Sequence, residues 1–322
     1  MRWQNLLMIA CTQYVIRYFV VAPILINGSM QLLFTHEEFA LLVLSTISIA
    51  AAGYIINDYF DSGIDAINKP NKLHVGTTVT ATQALVLHTA FSIFGIILGV
   101  YVGAKVGIYK LSLIQAITVG LLWFYSSEFK KQFLIGNLVI ALLTALVPLI
   151  VVIFEMPLFI SKFKSIVLEN QETFLIYKQI PLAMMQNLNS IWYFVGGFAA
   201  FAFLLTLIRE IIKDIEDYVG DEAFGCRTIP VRLGVKTAKN ITLLLIAVSI
   251  ASIGFLQYKM FLVSDFFSTS YLLVFVQIPL VMLCLMLIRA SEIKHFTRAS
   301  AFTKIIMVLG ICYSFMFWWL MK

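Results

Sequence analysis

The fold class of this chain is decided by one segment, ALLVLSTISIAAAGYIINDYFDSGID, residues 40–65. Its first part is an apolar run, and a helix that crosses a bilayer needs about 20 predominantly apolar residues. Its last part carries Asn57, Asp61 and Asp65, which recur every four residues and therefore share one face of a helix. The segment predicts a membrane-spanning helix that ends in an acidic face.

The composition of the whole chain also indicates a membrane protein. Of its 322 residues, 61% are hydrophobic and only 12% are charged, and the mean hydropathy is +0.94. A soluble domain carries about a quarter charged residues. The apolar runs are continuous rather than alternating, which favours helices over a β-barrel. The four cysteines are dispersed without a C-x-x-C pair, so the sequence predicts neither a zinc site nor a disulfide framework.

Nine segments are apolar enough to be predicted as spans, and the chain 1–322 is expected to form a single transmembrane domain. The spans fall at about 4–33, 38–58, 81–104, 109–128, 133–154, 187–209, 237–258, 269–289 and 303–321. Thr80-x-x-Gln83 is a capping-box pattern that would begin the third span. A cytoplasmic N-terminus puts fifteen Lys and Arg residues on the inner side and seven on the outer, as the positive-inside rule requires. The outer side then holds a long amphipathic connection over 155–186.

A second acidic set follows the sixth span, in REIIKDIEDYVGDEAFGCRTIPVRLG, residues 209–234. Asp214, Asp217 and Asp221 are spaced by three and four residues, again one helical face, and both acidic sets fall on the inner side. Two such faces opposite each other suit two Mg²⁺ ions around one diphosphate. Solvated acidic helix ends, or the acidic vestibule of a transporter, would produce the same patterns.

Basic and polar residues of the inner loops are candidate ligands for phosphate groups. Arginine and lysine bind phosphate oxygens, and tyrosine donates to them. These candidates are Asn57, Lys69, Lys72, Tyr125, Lys130, Lys131, Lys213 and Arg227. Positive-inside topology explains the cations among them equally well. Arg17 differs from these residues because it lies within a span, where a charge is a functional hypothesis unless its side chain snorkels.

The two acidic sets resemble the motifs of the UbiA superfamily of intramembrane prenyltransferases. The first family motif, N-D-x-x-D-x-x-I-D-x-x-N-x-P, is matched by Asn57, Asp58, Asp61, Ile64, Asp65, Asn68 and Pro70. The second, D-x-x-x-D, is matched by Asp217 and Asp221, and the resemblance spans nearly the whole chain. This chain departs from the family pattern at Ser62, at the LHVG turn of residues 73–76, and in the five-residue spacing from Tyr125 to Lys130.

The resemblance implies an all-α fold of about nine transmembrane helices around a central cavity. It also implies Mg²⁺-dependent transfer of a prenyl group from a prenyl diphosphate to a membrane-soluble acceptor. The distribution of Lys and Arg then predicts that the N-terminus and the active-site loops lie on the cytoplasmic side of the cell inner membrane. Asp61, Asp65, Asp217 and Asp221 would then be the catalytic carboxylates, and Asn57 and Asp214 would join them as metal ligands. No nucleic-acid partner is expected.

The second motif is most similar to the digeranylgeranylglyceryl phosphate synthase group, in which K-D-I-x-D-x-x-G-D-x-x-x-G-x-R-T-x-P is usual. This similarity implies a geranylgeranyl donor and a geranylgeranylglyceryl phosphate acceptor, joined through an ether. Two alternatives are prenylation of an aromatic quinone precursor of the 4-hydroxybenzoate type and a membrane cation or lipid transporter. A CDP-alcohol phosphotransferase is disfavoured, because no Asp-Gly…Ala-Arg element precedes Asp61.

Overall fold

The computed structural model describes residues 3–28, 30–68, 75–169 and 179–322. Within these ranges the backbone is helical apart from turns and one isolated bridge between Val75 and Val79. The predicted all-α fold is confirmed.

Twelve helices follow one another along the described ranges. They are α1 Trp3–Asn27, α2 His36–Phe60, α3 Ser62–Asn68, α4 Ala81–Lys105, α5 Leu113–Ser127, α6 Ile135–Glu169, α7 Gln179–Glu216, α8 Tyr218–Ala223, α9 Ile229–Leu233, α10 Val235–Leu262, α11 Phe266–Arg289 and α12 Ile293–Leu320. Single π-helical turns interrupt α1 and α11, and short 3-10 turns flank α5.

The starts of two long helices are set by capping boxes. Before α4, Thr80 Oγ1 accepts from the Gln83 N–H at 3.2 Å, while Gln83 Oε1 accepts from the Thr80 N–H at 2.9 Å. Thr35 and Glu38 make the same reciprocal pair before α2. Each box satisfies donors that a helix N-terminus leaves without an intrahelical partner. The predicted start of the third span is confirmed.

Eight helices of the described chain are long and apolar enough to cross a membrane, judged by length and composition alone. The ninth predicted span falls on α5, whose 15 residues, with the preceding 3-10 turn, still reach from one end of the bundle to the other. Gln115 packs closely against Gly99 near the end of α4, and Trp123 makes an edge contact with Phe60 at the end of α2. The helix and turn together measure about 30 Å, the thickness of the hydrocarbon core.

The predicted connection over 155–186 is wrong in its first residues, because the span predicted to end at 154 continues to Lys162. Helix α6 continues to Glu169 and α7 begins at Gln179, while residues 170–178 lie outside the described ranges. The charge that ended the predicted span, Glu155, is only 1% exposed and accepts from the Leu33 and Phe34 N–H groups at 2.7 and 3.0 Å. Arg17, also 1% exposed, is held 3.8 Å from Glu155 and donates to the Phe34 carbonyl instead of snorkelling. With two backbone donors on Oε1 and a cation nearby, a carboxylate can lie within a span.

Six helices, α1, α2, α5, α6, α7 and α12, pack each against the next in a closed ring. Helix α4 lies behind α2, while α10 and α11 lie behind α7 and α12. The ring surrounds a cavity. One end of the ring carries Asp61 and Asp217, and we call it the acidic end and the other the far end.

Candidate active site

The cavity enclosed by the ring has a volume of about 280 Å³. Toward the far end its walls are mainly apolar, with Leu143, Val147, Phe198, Phe201 and Ile311 among the lining residues. Toward the acidic end the wall becomes polar and is lined by Asn57, Tyr125, Glu210 and Lys213. Such a shape fits an amphiphile with a long hydrocarbon part and a charged head.

The first acidic motif lies where α2 stops and α3 begins. Asn57 Nδ2 donates to Asp61 Oδ2 at 2.6 Å, and Lys130 Nζ donates to the same oxygen at 2.5 Å. Asn57 and Asp61 are only 7% and 4% exposed. Asp65 follows one helical turn later, its N–H bonded to the Asp61 carbonyl at 2.8 Å. Burial acts to lower the pKa of Lys130, but the Asp61 carboxylate outweighs it and holds that pKa above its ordinary value. Lys130 is therefore a charged partner of the first motif.

A tight turn after α5 brings Lys130 to this position. The chain passes through the 3-10 turn Phe129–Lys131 and through Leu134 with φ of 62°, a left-handed conformation. Gly136 follows immediately, and a Cβ there would lie 2.8 Å from the Phe129 carbonyl oxygen. The same turn leaves Lys131 exposed, with its carbonyl accepting from the Arg227 N–H at 2.7 Å. The turn therefore places Lys130, and not Lys131, beside the Asp61 carboxylate.

The second acidic motif runs from the last turn of α7 into α8. Asp214 Oδ2 accepts from Asn137 Nδ2 at 2.7 Å. Asp221 is 3% exposed, and the chain turns back at Gly225, whose φ is 68°. Burial, together with the carboxylates of Asp217 and Asp61, raises the pKa of Asp221 to about 6 against the lowering effect of Lys130. The Asp221 carboxylate of the second motif therefore interacts electrostatically with Asp61 of the first motif and with its partner Lys130.

A single amide side chain ties the two motifs together. Asn68, in the last turn of α3, donates from Nδ2 to the Asp217 carbonyl at 3.0 Å and accepts at Oδ1 from the Gly220 N–H at 2.9 Å. Gly220 must be small, because a Cβ there would lie 2.4 Å from Asn68 Nδ2. On the same interface, a Cβ on Gly63 would lie 2.9 Å from the Phe224 ring. Sequence reasoning matched Asn68 to a motif but assigned it no role.

The predicted site residues divide into three groups. The structure brings together Asn57, Asp61, Tyr125, Lys130, Asp214, Asp217 and Asp221, with Lys213 at the polar wall beside Glu210 at 3.4 Å. Lys131 and Arg227 are exposed at the rim, and Asp65 is half-buried one helical turn after Asp61. Lys69 and Lys72 lie outside the described residues. Glu210, which sequence reasoning left out of the site, lines the cavity and is only 6% exposed.

The donor atoms of the two motifs fit a hard divalent cation. Carboxylate and amide oxygens are the ligands that Mg²⁺ prefers, and it commonly takes only one or two carboxylates together with substrate phosphates and water. Asp221 is buried beside two other carboxylates, an arrangement that a cation stabilises. In the part of the chain that the structure describes, no three His, Cys, Asp or Glu side chains converge closely enough to surround a metal ion by themselves. The arrangement therefore suits an ion shared between protein and phosphate oxygens.

Comparison with known proteins identifies the family. Residues 19–321 match the family model described as the UbiA prenyltransferase family. The digeranylgeranylglyceryl phosphate synthase of Sulfurisphaera tokodaii is 30% identical over 266 residues, which cover 83% of this chain and 80% of that protein.

Solved structures share the fold. A UbiA homolog from Aeropyrum pernix K1 superposes with a TM-score of 0.63 at 15% identity, covering 98% of each chain. A UbiA homolog from Archaeoglobus fulgidus, solved bound to DMAPP and Mg²⁺, gives a TM-score of 0.50 at 15% identity, covering 97% of each chain. Fold and sequence similarity agree, and the chain belongs to the UbiA family of membrane-embedded prenyltransferases.

Proposed function

We propose that this protein transfers a geranylgeranyl group from geranylgeranyl diphosphate to the hydroxyl of geranylgeranylglyceryl phosphate, forming an ether, with Mg²⁺ as cofactor. The observation that carries the proposal is that Asn57, which lines the polar end of a mainly apolar cavity, donates to the Asp61 carboxylate that also accepts from Lys130. The name of the Sulfurisphaera tokodaii relative and the Mg²⁺ in the Archaeoglobus fulgidus structure support the acceptor and the metal.

The metal ligands we assign are the oxygens of the two motifs. They are Asn57, Asp61 and Asp65 on one side and Asp214, Asp217 and Asp221 on the other. Bound Mg²⁺ neutralises negative charge as it develops on the diphosphate leaving group. Lys130, Lys213 and Tyr125 donate to the diphosphate oxygens, and Lys131 and Arg227 extend this positive rim.

The rest of the cavity holds the hydrocarbon chain and keeps water from the reacting carbon. The allylic C–O bond to diphosphate breaks, and the acceptor oxygen forms a new bond to that carbon. Diphosphate departs with the electron pair of the broken bond and takes up the hydroxyl proton. Apolar walls that include Phe198 and Phe201 exclude water, which would otherwise hydrolyse the reactive carbon centre. Holding donor and acceptor side by side lowers the barrier by orienting them.

We further propose that the acidic end faces the cytoplasm, in the inner membrane of the cell, and that residues 1–322 form one domain. The excess of Lys and Arg in the loops of the acidic end supports the orientation. The closed ring, to which both α1 and α12 belong, supports the single domain.

The test is product identification with purified protein and labelled geranylgeranyl diphosphate. Geranylgeranylglyceryl phosphate and 4-hydroxybenzoate are offered in parallel with Mg²⁺, and we expect label only in the ether lipid. Label in prenylated 4-hydroxybenzoate would replace the proposed acceptor with an aromatic one.

Charge-neutral variants test the metal ligands. Asp61→Asn and Asp217→Asn should each remove turnover while the protein still inserts and folds. The matched control is Asp265→Asn at the far end, where the side chain caps α11 through the Ser268 N–H at 3.0 Å. Near-normal turnover in either motif variant would refute the ligand assignment.

A further inference from the structure

A second polar cluster lines the same cavity, and two of its three residues are on α1 and α12, which carry neither acidic motif. It consists of Asn5 on α1, Arg209 on α7 and Lys304 on α12. Among the described residues that line the cavity, Arg209, Lys213 and Lys304 are cationic and Glu210 is the acidic one. The wall is therefore net positive, which favours an anion.

The three residues lie at one level of the bundle. Helices α7 and α12 run antiparallel, because Phe201 meets Gly310 while Phe194 stacks on Phe317 at 4.6 Å. This register puts Arg209 within one turn of Lys304. Lys304 Nζ in turn donates to Asn5 Oδ1 at 3.4 Å, which adds α1 to the same level.

This level is separate from the acidic motifs. Arg209 precedes Asp214, the first carboxylate of the second motif, by five residues of helix, which is about 7.5 Å toward the far end. Arg209 and Lys304 lie at the ends of the predicted spans 187–209 and 303–321, and both side chains line the cavity. A charged side chain that faces a cavity at the edge of a span is a functional hypothesis.

The hydrogen bonding of Arg209 points to a ligand. Its Nη1 donates to Glu210 Oε1 at 2.6 Å, but its buried Nε has no hydrogen-bond partner among the described residues. Glu210 also accepts from Lys213 at 3.4 Å, so one carboxylate is shared between two cations. A buried donor left without a partner is costly, and an anion with several oxygens would satisfy it.

We propose that Arg209, Lys304 and Asn5 bind the phosphate monoester of the lipid acceptor, an inference that rests on the proposed function. In a glyceryl phosphate acceptor the phosphate and the reacting hydroxyl are borne by adjacent carbons. A phosphate held at this level therefore presents the hydroxyl toward the acidic end, where the donor's diphosphate is held. A phosphate monoester carries a charge of about −1.5 to −2 at neutral pH, which matches a net positive wall.

The cluster also predicts specificity. An acceptor without the phosphate leaves the buried Nε of Arg209 without an acceptor, and a site that is built to hydrogen-bond a ligand group rejects an analogue lacking that group. We therefore expect geranylgeranylglycerol, which has the same hydroxyl and hydrocarbon chain, to be a poor acceptor.

The experiment measures separate KM values for donor and acceptor in Lys304→Met and Arg209→Gln. Each variant should raise the acceptor KM at least about tenfold, while the KM for geranylgeranyl diphosphate and the Mg²⁺ requirement stay unchanged. In each variant, the ratio of kcat/KM for geranylgeranylglyceryl phosphate to kcat/KM for geranylgeranylglycerol should also be smaller than in the unmodified protein. Lys304→Arg, which keeps the charge, should recover most of the acceptor affinity. Lys294→Met, on the exposed start of the same helix, is the matched control.

The outcomes separate this inference from the proposed function. If the unmodified protein does not prenylate geranylgeranylglyceryl phosphate, both the proposed function and this inference are wrong. If it does, and the variants keep the wild-type acceptor KM or raise the donor KM equally, only the phosphate subsite is refuted. Thermal unfolding of each variant in detergent identifies a loss that comes from misfolding, and Lys304→Arg then decides whether charge is required.

Discussion

Replacing Asn68 with alanine should loosen the two acidic motifs from each other without removing a charge from either. Its amide makes two hydrogen bonds to the backbone of the second motif, at 3.0 Å to the Asp217 carbonyl and 2.9 Å from the Gly220 N–H. Each such bond contributes about 1 kcal/mol, so the variant should lose about 2 kcal/mol of coupling between α3 and α8.

If that coupling serves to hold the motifs in position for the transition state, kcat/KM should fall about 30-fold. The assay is the initial rate of prenyl transfer across a Mg²⁺ titration, in which the apparent Mg²⁺ affinity should fall as well. Thermal stability should change little, because α3 and α8 lie outside the ring of long helices.

Two further variants decide whether the reasoning holds. Asn27→Ala removes a similar amide-to-backbone bond, 3.1 Å to the Met321 carbonyl, at the far end, and it should leave the rate unchanged. Gly220→Ala alone should lower kcat/KM, because its Cβ would clash with Asn68. In an Asn68→Ala background that clash is absent, so the losses in kcat/KM of the two single variants should not add. Wild-type kcat/KM in Asn68→Ala would refute the proposed role.

Three other perturbations have definite expected outcomes. Arg17→Met should lower the free energy of unfolding by about 3–5 kcal/mol, because Glu155 would stay buried without its cation. A double variant with Glu155→Leu should recover most of this loss. An unchanged unfolding midpoint in Arg17→Met would contradict the argument. Gly310→Ala places a Cβ 2.1 Å from the ring of Phe201, a residue that lines the cavity. The displaced ring should raise the KM for geranylgeranyl diphosphate more than the KM for the shorter geranyl diphosphate. An unchanged ratio of the two KM values would show that the ring moves away from the cavity. Excess EDTA should abolish turnover and added Mg²⁺ should restore it, whereas turnover that persists in EDTA would contradict the cofactor.

Helical periodicity predicted the contacts that stay within one helix. The spacing of Asn57 and Asp61 placed them one turn apart, and the structure joins them by a hydrogen bond of 2.6 Å. The choice between Lys130 and Lys131 depends on the turn that ends at Leu134 and Gly136, and no local pattern distinguishes two adjacent lysines. Sequence could therefore propose this pair but not select Lys130.

Contacts between distant segments account for what the sequence could not predict. Glu155 ended a predicted span because an isolated carboxylate is costly in a membrane. Its satisfaction comes from the backbone of Leu33 and Phe34, more than a hundred residues earlier in the chain. The role of Asn68 depends on a partner 149 residues away in the same manner. Such pairs exist only once the helices have packed.

The closed ring has a consequence for the order in which the protein is assembled. The ring closes where α1 meets α12, through Asn5 with Lys304 and through Phe19 with Phe315 at 4.6 Å. The reaction chamber therefore has no complete wall until α12 has been synthesised and inserted. We expect a chain that stops before α12 to bind no prenyl diphosphate, although it already contains both acidic motifs. Enzymatic competence would then appear only after α12 has been inserted, and chains that stop earlier would leave prenyl diphosphates intact.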